Sequence, residues 1–117
     1  MKDIHTTIKT VLRGEIWMAD LGDDNIKGSE QKGKRPVLII QNDVGNKFST
    51  TTIVACITTK LKTKIPTHMN CELYEPSTIM FEQLKTISKD RLNNKIGKLN
   101  NKQIEEVKKK LMISIGF

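Results

Sequence analysis

Apolar positions along the chain come in short, β-branched runs separated by polar stretches rich in glycine, lysine and asparagine. Gly14–Leu21 carries the first strand signal. A long polar loop from Gly22 to Lys34 follows. Structureless loops of that length are more often functional than filler. Pro36–Ile40 is continuously apolar and reads as a buried strand, with Pro36 at its first position. Asn42–Asn46 has turn chemistry. Thr51–Thr59 is another β-rich run, and Lys60–Pro66 is a basic loop. Thr67–Leu73 and Ser77–Ile87 read as two further strands, separated by Tyr74-Glu75-Pro76. Ser88–Arg91 suits one helical turn, and Lys95–Leu99 a short last strand.

Helical periodicity is clear only at the C-terminus, where Ile104, Val107, Leu111 and Ile115 mark one face. Asn100 and Gln103 have the spacing of a capping box, Leu99 and Ile104 that of a hydrophobic staple, and Gly116 suits the stop. The pattern predicts a mainly β fold: a small, strongly bent sheet or barrel with one C-terminal helix. Residues 1–12 read as a flexible, polar lead-in, and 13–117 as a single domain.

At 117 residues there is no room for a second domain. A core of this size is modest, and a subunit interface would help it. No apolar run reaches the roughly 18 residues of a membrane span, and Met1–Thr7 lacks the apolar stretch of a secretory signal. A cytoplasmic protein with no membrane partner is expected. The 20 Lys+Arg against 13 Asp+Glu give a net charge of +7, which favours a polyanionic partner, nucleic acid first. Aromatic residues are only 4%, too few for a surface with several stacking platforms. Two cysteines, Cys56 and Cys71, without a CxxC motif and with only His5 and His68, do not make a zinc site. Cys56 reads as a small core residue. No metal or other cofactor is expected.

Neither a GxSxG nucleophile elbow nor a phosphate loop is present. The only adjacent aspartates, Asp23-Asp24, sit in the long loop, and the acidic residues do not cluster as in a two-metal nuclease. Nuclease chemistry here would therefore work without metal, which RNA permits because its 2′-hydroxyl can attack the neighbouring phosphate. The protein must orient that attack, stabilise the crowded phosphate and move two protons. Gly28–Pro36 is the densest polar segment and delivers a loop into a rigid strand, with Arg35 at the junction. A guanidinium is a planar fork suited to phosphate oxygens. By spacing alone Arg35 also fits an ordinary surface arginine, Thr58 and Thr59 ordinary strand threonines, and His68 a structural histidine. Glu82-Gln83 interrupt the apolar segment Ile79–Leu84, either facing a groove or alternating outward.

The segment from Gly28 to Asn46, GSEQKGKRPVLIIQNDVGN, resembles the signature of MazF/PemK-type toxins. So do Arg13-Gly14-Glu15-Ile16-Trp17, Ile53–Thr58, Pro66-Thr67-His68 and Glu82–Ile87 in that order. The resemblance covers roughly residues 13–117 and implies an SH3-like barrel of the CcdB/PemK type with added helices, in a homodimer. It further implies a type II toxin: a sequence-specific, metal-independent endoribonuclease acting on single-stranded mRNA, neutralised by a MazE-like antitoxin. By the same resemblance Arg35 and Thr58 are catalytic. Ser29, Glu30 and Gln31 match a loop that contacts RNA, and Asn42, Ile65, Glu82 and Gln83 match further groove positions. Cys56 stands where an alanine is common and Thr51 where a proline is common.

Arginine holds its proton in proteins, so Arg35 is read as phosphate clamp and proton donor to the leaving 5′-oxygen rather than as base. Thr58 is read as a hydrogen-bonding partner of a phosphate oxygen or the 2′-hydroxyl, and no residue is assigned as base. The competing expectation is a non-catalytic protein on the same barrel, either a gyrase inhibitor of the CcdB type or an RNA-binding module. The Gly28–Pro36 loop and its arginine favour the ribonuclease.

Overall fold

Val37-Leu38-Ile39 and Val54-Ala55-Cys56-Ile57 are apolar without alternation because both faces of their strands are covered. A computed structural model describes residues 9–22, 33–60 and 64–116. Among these, strands β1 (Glu15–Asp20), β2 (Lys34–Ile39), β3 (Thr51–Thr58), β4 (His68–Glu72), β5 (Pro76–Ser88) and β6 (Leu92–Lys98) form one antiparallel sheet. Its order is β4-β5-β3-β2-β1-β6. Helix α1 (Asp43–Phe48) links β2 to β3, a 3-10 turn (Lys89–Arg91) links β5 to β6, and α2 (Asn101–Ile115) closes the chain. The sheet curls into a half-barrel, the mainly β fold with a C-terminal helix that the sequence predicts.

Alternation along the strands sorts the core into two layers. Leu38, Ala55, Ile57, Ile79 and Phe81 meet Val107, Ile104 and Leu111 of α2 on one face. Val37, Ile39, Val54, Ile87 and Leu92 cluster on the other, joined by Val11. Val11 is buried, and Lys9 Nζ donates to the Leu92 carbonyl. Lys9 and Val11 thus touch the sheet.

The capping box of α2 forms as predicted: Gln103 N donates to Asn100 Oδ1 at 2.8 Å and Asn100 N to Gln103 Oε1 at 2.9 Å. Gly116 ends the helix at φ +86°. Ile115, placed on the apolar face by its spacing, is instead 54% exposed beside Met112 and Ile113. At the other end Gly14 is required twice over. Its φ is +92°, and a Cβ there would lie 2.9 Å from Ile104 Cδ1 of α2.

Three local expectations change. Pro36 is third in its strand, not first. It pairs with Met18 only, since the ladder to β3 begins at Val37, so a residue lacking N–H is tolerated there. β6 begins at Leu92 rather than Lys95. Asn42–Asn46 is the start of α1, not a plain turn. Asn42 Oδ1 accepts from Gly45 N at 2.7 Å as the N-cap, and Asp43 Oδ1 accepts from Arg13 N at 2.7 Å. Asn46 is buried: its Oδ1 accepts from Thr52 Oγ1 (2.7 Å) and Gln41 Nε2 (3.1 Å), its Nδ2 donates to the Gln41 carbonyl (2.9 Å), and Lys89 Nζ donates to its backbone oxygen. Glu15 is buried too, accepting from Leu12 N and Trp17 Nε1 at 3.0 Å and from Lys95 Nζ at 3.3 Å. Burial opposes its ionisation, but these donors outweigh it and hold the carboxyl below its ordinary value.

Strand β5 is long because it bends. Ala55 pairs with Leu84 but Cys56 pairs with Met80, so Phe81, Glu82 and Gln83 have no counterpart on β3. Such extra residues bend a strand and increase its twist. The Phe81 ring is fully buried under α2, Phe81 N donates to the Thr67 carbonyl (2.9 Å), and Ser114 Oγ donates to the Phe81 carbonyl (2.5 Å). The polar pair that interrupts the apolar run is thus carried on an anchored bend.

Candidate functional site

The ladder between β2 and β3 closes at Val37↔Cys56. Continued two residues, that register sets Arg35 across from Thr58. Thr58 pairs onward with Thr78 of β5, and Thr78 with Asn70 of β4. On its other side Arg35 pairs with Ala19 of β1. Residues opposite one another, or two apart on one strand, share a face. This row therefore lies with Val37 and Val54 on the face away from α2. Pro36, with its fixed φ, follows Arg35 and stiffens the strand just after it. Arg35 is half-buried, while Thr58 is 3% and Thr78 1% exposed. Thr58 Oγ1 accepts from Lys60 N at 3.2 Å, which ties down the chain as it leaves β3.

A second cluster sits at the bend of β5. Glu82 Oε2 accepts from His68 Nε2 at 2.8 Å and Glu82 Oε1 from Thr67 Oγ1 at 2.8 Å. His68 is buried, whereas the Glu82 side chain is 36% exposed. His68 pairs with Met80, two residues from the Thr78 pair and so about 7 Å along the strands from it. Desolvation raises the Glu82 pKa, but the bonds from His68 and Thr67 prevail and hold it below 4.5. A folded-state value below the unfolded one gives stability that is complete above about 4.5 and lost as pH falls through the lowered value. Glu82→Gln is therefore expected to melt below the wild type at pH 7, with the gap narrowing as the pH is lowered to 3 and the carboxylate takes up its proton. Parallel thermal melts at the two pH values check this; a gap independent of pH would refute it.

Of the other residues singled out by sequence, Ser29, Glu30, Gln31 and the Asp23-Asp24 pair lie outside the described residues. Ile65 is 40% exposed, and its carbonyl accepts from His68 N at 2.9 Å. Gln83 is half-buried beside Glu82 on the bend. Asn42 stands at the far end of β2 from Arg35, roughly 20 Å off at strand rise, with its side chain capping α1. Sequence reasoning did not single out Thr67 as a partner of Glu82 or Thr78 as the neighbour of Thr58. A lone threonine in a β-rich run carries no local signal, because only the strand register makes the pairing. Cys56 and Cys71 are free and buried, and burial pushes both thiols up to about 11, so neither is a thiolate at neutral pH. Among the described residues no three His, Cys, Asp or Glu side chains gather as metal ligands, and no helix is long and apolar enough to cross a membrane.

The chain is 47% identical over 111 residues to the Endoribonuclease MazF of Staphylococcus saprophyticus, covering 90% of this chain and 91% of that protein. Among solved structures it is similar to MazF from Deinococcus radiodurans (TM-score 0.78, 17% identity, 93% of this chain and 99% of that one). It is also similar to a mycobacterial endoribonuclease in complex with its cognate antitoxin (TM-score 0.76, 23% identity, 92% and 96%). At those identities the structures speak for the fold alone. The family model of PemK-like, MazF-like toxins matches residues 12–115. On that match and the close relative together, the chain belongs to the PemK-like, MazF-like toxins of type II toxin–antitoxin systems.

Proposed function

We propose that this chain is a sequence-specific endoribonuclease toxin that cuts single-stranded mRNA in the cytoplasm without a metal and is neutralised by a MazE-like antitoxin. The reading is supported by the register of β2 and β3, which, continued two residues past Val37↔Cys56, sets Arg35 across from Thr58, in a chain so similar to an Endoribonuclease MazF. Arg35 clamps the phosphate and donates toward the leaving 5′-oxygen. Thr58 hydrogen-bonds a phosphate oxygen, or the 2′-hydroxyl as it attacks. The 2′-hydroxyl gives up its proton to solvent as its oxygen bonds to phosphorus, the bond to the 5′-oxygen breaks, and that oxygen takes up a proton. The products are a 2′,3′-cyclic phosphate and a 5′-hydroxyl. Ser29, Glu30 and Gln31 with Asn42, Ile65, Glu82 and Gln83 line the path of the RNA. The net charge of +7 draws the polyanion to this groove, and an acidic antitoxin segment that folds on binding competes for the same surface.

The toxin acts as a homodimer. Its support is the small core together with the exposed Val44, Phe48, Met112, Ile113 and Ile115. Sedimentation at micromolar concentration should show twice the 13.3 kDa chain mass; a monomer there would contradict it. The activity is tested by incubating purified protein with a long single-stranded RNA in chelator. Discrete fragments bearing 5′-hydroxyl ends support the ribonuclease. Intact RNA, with gyrase inhibited or RNA merely bound, would replace it with the non-catalytic reading.

A further inference from the structure

Thr78 Oγ1 is fully buried, and among the described residues it has no hydrogen-bond partner. An unpaired hydroxyl held away from water is unfavourable, and native proteins seldom keep one without a use. Its position points to the use. Thr78 is the direct cross-strand partner of Thr58, and opposite residues carry their Cβ atoms about 4.5–5.5 Å apart. A rotation about χ1 is then enough to bring the two hydroxyls together. Thr58 Oγ1 already accepts one bond, from Lys60 N. A hydroxyl accepts two bonds and donates one, so Thr58 has a second lone pair for a donor and a proton for a substrate oxygen.

We infer that Thr78 is a positioning residue for Thr58, its hydroxyl donating to Thr58 Oγ1 while Thr58 donates to the RNA phosphate. The inference rests on the ribonuclease reading above. No proton leaves either threonine. The chain Thr78 O–H to Thr58 O–H to phosphate oxygen strengthens each link by polarising the next. With Lys60 N and Thr78 both on its oxygen, Thr58 has only one direction left for its own proton. Both threonines are nearly fully buried, where such bonds are electrostatically stronger than in water.

The test is Thr78→Val, which keeps the shape and removes the hydroxyl, beside Thr78→Ser, which keeps the hydroxyl. Both are assayed on a fluorescent single-stranded RNA containing a mapped cut site, in single turnover at saturating protein. Thr78→Val is expected to lower the maximal rate about three- to tenfold, the worth of one hydrogen bond in the transition state. Its half-saturating concentration should hold within about twofold, and its melting temperature should not fall, since an unpaired buried hydroxyl has been removed. Thr78→Ser should recover most of the rate. An unchanged maximal rate in folded Thr78→Val, a defect confined to half-saturation, or no rescue by Thr78→Ser would each overturn the inference. Should Thr78→Val not fold, Thr78→Ala against Thr78→Ser makes the same comparison. Wild-type protein that leaves the RNA intact would bring down the ribonuclease reading and this inference with it; an active wild type matched by Thr78→Val brings down the inference alone.

Discussion

Replacing Arg35 with alanine is expected to lower single-turnover RNA cleavage about 10²–10³-fold, the usual loss when one donor to developing charge is removed. The fold should survive. Arg35 lies near the open end of β2, half-buried and ahead of the paired segment Val37–Ile39 that carries the core. Its value to the reaction is positional. Pro36 restricts the backbone just after it, so the guanidinium fork extends from a stiff base. Arg35→Lys should recover only part of the rate, because an ammonium does not reproduce planar, two-point contact with a phosphate. Circular dichroism checks the fold. A folded Arg35→Ala protein cutting within about threefold of wild type, far short of the stated loss, would remove Arg35 from the mechanism.

The largest effect on stability is expected at Phe81. Its ring is fully buried between the sheet and α2, and its backbone is bonded at both ends of the peptide, to Thr67 and Ser114. Phe81→Ala leaves a cavity beneath the helix and should cost about 3–5 kcal/mol. Small domains have only about 5–15 kcal/mol in all, so much of the molecule's margin goes. The same change loosens the bend that presents Glu82 and Gln83. Urea denaturation with a common slope measures the loss; a value below about 1 kcal/mol would contradict the packing described for Phe81.

How legible each feature is in the sequence follows from how local its cause is. The end of the chain is readable because Leu99, Asn100, Gln103, Ile104 and Gly116 are all neighbours of the helix they define. Helix α1 is not, because asparagine and aspartate serve a turn and an N-cap equally well. What decides is burial of Asn46 against Gln41 and Thr52, which flank the helix, and against Lys89, which reaches it from across the fold. The bend of β5 is likewise invisible locally. Phe81-Glu82-Gln83 reads as strand, and is strand, but only the register against β3 shows it to be the surplus. The site divides the same way. Arg35 stands out by its loop-to-strand junction, yet setting it across from Thr58 takes the register of two strands separated by α1. Family resemblance supplied that pair, and it could not separate residues that hold the fold from residues that face RNA. Gly14, Glu15 and Asn46 all belong to its motifs, and in the structure each has a structural task.

The central claim is that the RNA supplies its own nucleophile and that the protein positions it. The most direct measurement compares two single-stranded oligonucleotides carrying a mapped cut site, identical except that one has a single 2′-deoxy sugar immediately 5′ of the scissile phosphate. With wild-type protein in chelator, the all-ribose strand should be cut to a 2′,3′-cyclic phosphate and a 5′-hydroxyl, while the substituted strand stays whole yet still binds and competes. Cleavage of the substituted strand at a comparable rate, or cleavage of either strand only when a divalent metal is added, would contradict the account.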